Sequence, residues 1–207
     1  MTSQTIDYFF SAHSAFAYLG HAHLLRIARA AGATVILRPY RLSPVMEALG
    51  GTPFARRSRA HLDYFFGREL ERWAHARGLP PIRRIPSTHG HSYDLANCAI
   101  IAAQAAGEDA AALAGVFLAG HWVDDADLSD PAALRALGAS DAVLTAAAED
   151  PAQATHDANT AEAIDRHVFG SPTYFLGGDM FYGQDRLDHL EAALSAPFPA
   201  TAFERPN

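Results

Sequence analysis

Ser14 is the residue of this sequence that is best placed for chemistry. It follows a run of β-branched and aromatic residues at 5–11 (TIDYFFS) and precedes an apolar pattern with helical spacing at 15–31. We therefore expect Ser14 at the N-terminus of a helix, where unpaired N–H groups and the helix dipole attract negative charge. A serine hydroxyl in that position can donate a hydrogen bond to a thiolate. On spacing alone, a plain N-cap is the commoner role for such a serine.

The cysteine content shows whether the thiol at such a site can come from this chain or must come from a ligand. Cys98 is the single cysteine of the sequence. An intrachain disulfide, a CxxC redox pair and a thiolate metal cluster are therefore impossible. Since serine cannot replace cysteine as a redox centre, disulfide exchange at Ser14 is disfavoured. Any thiol chemistry here must use a thiol that a ligand brings.

Three histidines and a tyrosine are candidates for moving protons, because neutral histidine titrates near neutral pH. These residues are His13, His89, His91 and Tyr93. Each single histidine is more often a surface or core residue than a catalytic one. The spacing His89-x-His91 also occurs in metal sites, but two histidines without a third ligand in a fixed pattern are a weak signal. We predict no metal site.

The first forty residues predict a β-α-β unit around Ser14. A strand at 5–11 precedes the helix at 15–31, which Gly32 ends. A second strand follows at 34–38 and is closed by Pro39.

Strands return only near residue 170. The segments TYFL at 173–176 and MFY at 180–182 flank a Gly-Gly-Asp turn, which predicts a β-hairpin. Pro172 comes directly before this hairpin. Only about 5–6% of X-Pro bonds in folded proteins are cis, but a cis bond would expose the backbone N–H and C=O of Ser171 to a peptide-like ligand. A last helix follows the hairpin, with leucines on one face at Leu187, Leu190 and Leu194.

The segment between these two parts has a helical pattern throughout. Helix-start signals occur at Asp130, Ser140 and Asp150, of which the two aspartates each precede a proline.

Four aromatic residues of this segment form a stripe with helical spacing. This spacing favours a role in the ordinary hydrophobic core over stacking on a substrate. A minority of its rings could instead line an apolar pocket between the two parts of the chain. The stripe consists of Tyr64, Phe65, Phe66 and Trp73.

The order βαβ, helices, ββα predicts an α/β thioredoxin-like fold that is interrupted by a large all-helical insertion. We assign residues 1–44 and 166–196 to a discontinuous thioredoxin-like domain. Residues 45–165 form the predicted helical insertion, and residues 197–207 form a Pro-rich C-terminal tail that we expect to be loosely ordered.

Composition narrows the classes of partner. The 207 residues carry a net charge of −7, which disfavours nucleic acid, since nucleic-acid binding depends on clustered Lys and Arg. The basic run at 56–59 is interpreted as a solvated helix start. No stretch reaches the roughly 18 apolar residues that span a membrane, and the first residues lack the features of a secretory signal. We therefore expect a cytoplasmic protein without a membrane partner.

Several blocks of the sequence, in this order, resemble one family. They are IDYFFSAHSAFAYL at 6–19, RPY at 38–40, LDYFFGRELERWAHARGLP at 62–80 and HVFGSPTYFLGGDMFYGQDRLDHLE at 167–191. Together they resemble the 2-hydroxychromene-2-carboxylate isomerases, which are glutathione-dependent relatives of kappa-class glutathione transferases within the DsbA-like thioredoxin superfamily. The first and last blocks are the most specific.

The resemblance implies a role for each candidate site residue. Ser14 would activate the thiol of glutathione, and Ser171, before a cis Pro172, would pair its backbone with the cysteinyl part. Gln184 and Asp185 would hold the γ-glutamyl end, and Asp185 could also cap the last helix. The implied partners are a conjugated, aromatic-derived small molecule and a second copy of the chain in a homodimer.

The resemblance implies a glutathione-dependent isomerase that works by reversible thiolate addition and bond rotation. Ala15 stands where the family usually carries proline, and the loop at 87–94 (STHGHSYD) replaces a loop in which relatives often carry arginine. Two alternatives therefore stay open at this point. One is a kappa-like glutathione transferase, and the other is a non-catalytic glutathione-binding module.

Overall fold

A four-stranded mixed sheet forms the centre of the fold. The computed structural model describes residues 4–52 and 56–201, and within them the strand order is β2-β1-β3-β4. Strand β1 pairs in parallel with β2 and antiparallel with β3, which pairs antiparallel with β4. The predicted α/β thioredoxin-like fold is confirmed. The strands are β1 (Thr5–Phe10), β2 (Thr34–Pro39), β3 (Thr173–Leu176) and β4 (Asp179–Tyr182).

Helices connect β1 to β2 and β2 to β3, and one helix follows β4. The α-helices are α1 (Ala15–Ala31), α2 (Leu42–Ala48), α3 (Arg59–Asp63), α4 (Glu69–Arg77), α5 (Asp94–Ala105), α6 (Ala110–Asp124), α7 (Pro131–Ala136), α8 (Asp141–Ala147), α9 (Asp150–Asp165) and α10 (Leu187–Ser195). A π-helical turn (Tyr64–Arg68) joins α3 to α4, and a 3₁₀ turn (Gln184–Arg186) precedes α10. Helices α3 to α9 fall in the predicted insertion, whereas α2 begins at Leu42, three residues before the predicted start of the insertion. The two-domain boundaries stay a prediction.

Most of the predicted helix starts are confirmed. The side chains of Ser14, Asp130 and Ser140 each accept a hydrogen bond from a backbone N–H in the first turn of their helices. The prediction for Asp150 is wrong: Glu149 is the N-cap residue of α9 and makes no side-chain cap hydrogen bond. Since Asp150 is already helical, its Pro151 takes an early helical position, where proline needs no N–H partner.

The predicted cap at Asp185 is also wrong. Helix α10 begins after Arg186, and no side chain caps it. The Asp185 carboxylate instead accepts a hydrogen bond of 2.9 Å from the Arg186 guanidinium. The inserted 3₁₀ turn is the reason, since it moves the start of the α-helix two residues beyond Asp185. Of the predicted tail, residues 202–207 lie outside the described residues.

Both faces of the sheet are buried, as the pleat of β1 shows. Tyr8 and Phe10 belong to the larger core cluster with residues of α1, α5 and α6, whereas Phe9 belongs to a second cluster with Phe175. Adjacent residues of a strand point to opposite faces, so a run of buried aromatics requires cover on both sides. The helices supply that cover. No helix in the described part of the chain is long and apolar enough to cross a membrane.

A buried asparagine ties the loop before α1 to the helices. The Asn97 side chain is 0% exposed. Its Oδ1 accepts from the Ala12 N–H at 3.0 Å, and its Nδ2 donates to the Tyr40 carbonyl at 3.1 Å and to His156 Nε2 at 2.9 Å. Burial is the main cause that lowers the pKa of His156 to about 4, so His156 is a neutral acceptor at neutral pH. Helix α5 thus fixes the backbone two residues before Ser14.

A close approach at Gly20 sets the distance between α1 and the turn that carries Gln184. A Cβ at Gly20 would lie 2.7 Å from the Cβ of Gln184 and 3.0 Å from the Tyr174 hydroxyl. We expect Gly20→Ala to lower the free energy of unfolding by at least about 1 kcal/mol, since overpacking outweighs the gain in helix propensity. Urea unfolding measures this loss. The control is Gly67→Ala, where a Cβ meets nothing within 4 Å. Equal stability of the two variants would contradict the close approach.

Candidate functional site

A cleft opens at the N-terminus of α1, between the sheet and the inserted helices. Its volume is about 350 Å³. Ser14 and Ser171 line it from the thioredoxin-like part of the chain. Phe65, His89 and Trp122 line it from the inserted part. The cleft, which His13 also lines, therefore brings together two of the predicted site residues and two of the predicted proton carriers.

Ser14 caps α1 and contacts the opposite wall of the cleft. Its backbone is extended, with φ −79° and ψ 121°, and its side-chain oxygen accepts a hydrogen bond from the Ala17 N–H at 3.2 Å. The hydroxyl donates to the backbone carbonyl of Ser171 at 3.0 Å. Ser14 is 8% exposed. The hydroxyl proton therefore sits at the point where the first turn of α1 faces the segment before β3.

Ser171 is held by its side chain, which leaves its backbone available. Its Oγ accepts a hydrogen bond from the Ser11 N–H at 3.0 Å. Among the residues that the structure describes, none accepts a hydrogen bond from the Ser171 N–H. The Ser171–Pro172 peptide bond is cis, and the Pro172 carbonyl accepts from the Gly183 N–H at 2.9 Å. Ser171 thus offers one N–H donor and a carbonyl with a second lone pair.

Gln184 and Asp185 lie apart from the residues that line the cleft. Gln184 is buried, and its backbone carbonyl and side-chain Oε1 both accept from Arg77 Nη2, at 3.2 and 3.3 Å. Asp185 is exposed and paired with Arg186. The loop is connected to the site through Gly183, whose N–H binds the Pro172 carbonyl. The predicted ligand contacts of Gln184 and Asp185 stay predictions.

The four predicted proton carriers fall in three different surroundings. His91 is on the surface, with its Nδ1 2.9 Å from Asp127. His13 lines the cleft, but its Nδ1 lies 2.7 Å from the Oγ of Ser11. The ring of His13 stacks on that of Tyr93, and the ring centroids are 3.8 Å apart. Burial is the largest cause that lowers the pKa of His13 and raises that of Tyr93. His89 is the fourth, and it lines the cleft beside Trp122.

Burial also lowers the pKa of His89, to about 4, with the neighbouring His121 as the second cause. His89 is therefore neutral at neutral pH. His121 was not among the sequence candidates. It is 1% exposed and lies 32 residues further along the chain, on α6. Nothing in the spacing of the two residues indicates that their rings meet.

Arg57 is a cleft residue that the sequence did not indicate. It stands in the basic run that we interpreted as a solvated helix start, yet it lines the cleft. Its Nε is buried, and no hydrogen-bond partner for it is found in the described ranges. Its guanidinium lies 5.5 Å from the centroid of the Phe65 ring. A guanidinium in a cleft whose Nε has no partner among the described residues is suited to a carboxylate ligand.

The aromatic stripe divides between the core and the cleft. Phe65 and Phe66 line the cleft, as the less favoured of the two interpretations proposed. Trp73 packs against the core and Tyr64 is 52% exposed. The π-helical turn is one reason for the division, because it changes which side chains of this segment share a face.

One group of side chains in the described ranges has the spacing of a metal site. His23, Asp188 and Glu191 lie where α1 meets α10, far along α1 from Ser14. The guanidinium of Arg26 is already there, 3.2 Å from His23 Nδ1 and 3.6 Å from Glu191. This cation competes with a metal ion for the same groups, so we assign no metal role to them.

Comparison with protein families places the chain in a class. The family described as DSBA-like thioredoxin domain matches residues 5–195. The chain therefore belongs to the DSBA-like thioredoxin domain family. The disulfide reductase DsbM from Pseudomonas aeruginosa, in a structure with GSH, shares this fold with a TM-score of 0.60 over 92% of this chain and 97% of DsbM, at 18% identity.

Relatives with higher sequence identity to this chain belong to a narrower group within that family. The 2-hydroxychromene-2-carboxylate isomerase of Pseudomonas putida is 31% identical over 195 residues, which cover 91% of this chain and 93% of the relative. A solved structure of a 2-hydroxychromene-2-carboxylate isomerase has a TM-score of 0.79 at 30% identity, over 92% of this chain and 94% of that one. The resemblance predicted from the sequence is confirmed.

Proposed function

We propose that this protein is a glutathione-dependent isomerase of a conjugated, aromatic-derived compound like 2-hydroxychromene-2-carboxylate. The observation that carries the proposal is the meeting of Ser14 and Ser171 in the cleft, with a distance of 3.0 Å between the Ser14 hydroxyl and the Ser171 carbonyl. Membership of the family and the names of the similar isomerases support the reaction class.

The hydrogen-bonding groups of the cleft are complementary to those of glutathione. A peptide-like ligand can pair with Ser171 by accepting from its free N–H and donating to its carbonyl. If the ligand takes that carbonyl, the Ser14 hydroxyl is released to donate to the neighbouring sulfur. A carboxylate of glutathione or of the substrate matches Arg57, which lines the cleft. We also propose that Gln184 and Asp185 hold the γ-glutamyl end.

When bound, glutathione supplies a thiolate that adds reversibly to a conjugated carbon, so that the former double bond can rotate. A free thiol with a pKa near 8.5 is mostly protonated at neutral pH. Ser14 stabilises the thiolate with a hydrogen bond, and the N-terminus of α1 adds positive potential. Phe65, Phe66 and Trp122 offer ring faces to a flat aromatic substrate.

The proposal is tested by following isomerisation of 2-hydroxychromene-2-carboxylate with glutathione and with S-methylglutathione. The methylated compound keeps the peptide groups but has no thiol. We expect glutathione to support turnover, and S-methylglutathione to bind and give none. Equal turnover with both compounds, or without either, would contradict the thiol chemistry. A stable glutathione conjugate would favour the transferase, and binding without turnover would favour the non-catalytic module.

The homodimer and the cytoplasmic location stay predictions. Sedimentation at two protein concentrations measures the first.

A further inference from the structure

A chain of hydrogen bonds behind the cleft fixes the protons of two histidines. His121 Nδ1 lies 3.0 Å from the Ala126 carbonyl, and His121 Nε2 lies 3.0 Å from His89 Nδ1. A carbonyl only accepts, so the proton of His121 is on Nδ1. Neutral His121 then has a bare Nε2, which must accept from a proton on His89 Nδ1. In neutral His89 the remaining nitrogen, Nε2, carries a lone pair and no proton.

This lone pair belongs to a residue that lines the cleft. Because His89 Nδ1 is engaged by His121, only Nε2 is left for a ligand. The ring of His89 is also faced by His13 and by Trp122, each with its centroid 5.1 Å away. Burial and the second histidine keep the pKa of His89 at about 4. At neutral pH a residue that lines the cleft therefore carries a fixed hydrogen-bond acceptor.

We propose that His89 is a catalytic residue that accepts a proton from the substrate hydroxyl and returns it, and that His121 is its positioning residue. This inference rests on the proposed function. It also selects one residue from the proton carriers that the sequence suggested. His91 lies on the surface with its Nδ1 against Asp127. The Nδ1 of His13 contacts the Ser11 hydroxyl, which can donate or accept, so this contact does not fix the tautomer of His13 as His121 fixes that of His89.

The proton step is balanced within the substrate. A 2-hydroxychromene is a cyclic hemiketal. Its hydroxyl proton moves to His89 Nε2 as the bond between C2 and the ring oxygen breaks, and the electron pair of that bond goes to the ring oxygen as phenolate. The imidazolium then gives the same proton to the phenolate oxygen. The products are a ketone conjugated with the adjacent double bond and a phenol, and no oxidant or reductant is consumed.

His121 acts only through His89. Without an acceptor at the Nε2 position of residue 121, nothing holds the proton of His89 on Nδ1. The alternative tautomer would place an N–H in the cleft, where it could not accept the substrate proton. His121→Gln keeps an oxygen near the Nε2 position, whereas His121→Asn is too short to reach His89 but can still donate to the Ala126 carbonyl.

The first test is ¹⁵N NMR of the histidine rings at pH 7, which needs no turnover. In the native protein we expect His89 with a proton on Nδ1 and a bare Nε2. We expect this tautomer to be kept in His121→Gln and lost or mixed in His121→Asn, with kcat following the same order. A proton on His89 Nε2 in the native protein would overturn the inference, as would equal kcat in the two variants.

The second test compares two histidines of one loop. His89→Asn keeps a donor near the Nδ1 position for His121 but has no atom at Nε2, and we expect kcat to fall by about 100-fold, as for loss of a general acid-base group. His91→Asn is the matched control and should keep kcat within about 3-fold, since His91 contacts Asp127 on the surface and exposed polar contacts contribute little. Calorimetry should show unchanged glutathione binding in both variants.

The outcomes separate the inference from the function on which it rests. An active native protein with an equally active His89→Asn overturns the inference alone. A native protein without glutathione-dependent turnover overturns the proposed function, and the NMR tautomer still decides whether the cleft holds the fixed acceptor.

Discussion

Replacement of Ser14 by alanine is expected to lower glutathione-dependent kcat roughly 10- to 100-fold. A hydrogen bond to a charged group contributes about 1.5–3 kcal/mol, and each 1.4 kcal/mol is a factor of ten in rate. The Ser14 hydroxyl is the donor that the structure places beside the Ser171 backbone, where we propose that the cysteinyl part of glutathione binds. Steady-state kinetics at saturating glutathione measures the loss.

Ser140→Ala is the matched control for this variant. Ser14 and Ser140 both cap helices through a side-chain oxygen, at 3.2 Å from the Ala17 N–H and 3.1 Å from the Val143 N–H. Loss of either cap costs about 1 kcal/mol of stability. Only Ser14 faces the cleft, so we expect only Ser14→Ala to lose activity. If Ser14→Ala keeps native kcat, or Ser140→Ala loses as much, Ser14 is a structural cap and no more.

Arg57→Gln is expected to raise KM for the acidic substrate or for glutathione about 10-fold or more. The Nε of Arg57 is buried with no partner among the described residues, so a carboxylate in the cleft gains a charge-assisted hydrogen bond without displacing an ion pair. We assign the contacts to the reacting atoms to other residues, so kcat should change less than KM. Initial rates with each component varied in turn show which carboxylate Arg57 binds.

Arg59→Gln is the control from the same basic run. Its side chain is 88% exposed, and its guanidinium pairs with Asp63, four residues on. An exposed pair of this kind contributes less than about 1 kcal/mol. We expect Arg59→Gln to leave both KM values within about 2-fold of native. Equal increases in the two variants would mean that general positive charge near the cleft mattered, and the specific role of Arg57 would be lost.

The parts of the fold that the sequence predicted are those that depend on local pattern. The helix at Ala15–Ala31 was predicted with the bounds that the structure has, because a polar cap and a glycine stop enclose an apolar period. The hairpin after Pro172 followed from alternating residues around a Gly-Gly turn. Asp150 and Asp185 failed as caps because the true helix start differs by one or two residues, which propensity alone does not resolve.

The site was predicted less completely because it is made of distant residues. Ser14 and Ser171 lie 157 positions apart, and only the family resemblance joined them before the structure did. The family resemblance did not indicate a role for Arg57 or His121. A basic run and a lone histidine on an alanine-rich helix have ordinary structural explanations, and only tertiary packing places Arg57 in the cleft and His121 behind it, against His89.

The central claim is that Ser14 stabilises the thiolate of a bound ligand. The direct measurement is a titration of the thiolate absorbance of glutathione bound to native protein and to Ser14→Ala. We predict a thiol pKa clearly below that of free glutathione in the native complex, and a value closer to the free thiol in the variant. A native complex that titrates like free glutathione, or the same pKa in both proteins, would contradict the claim.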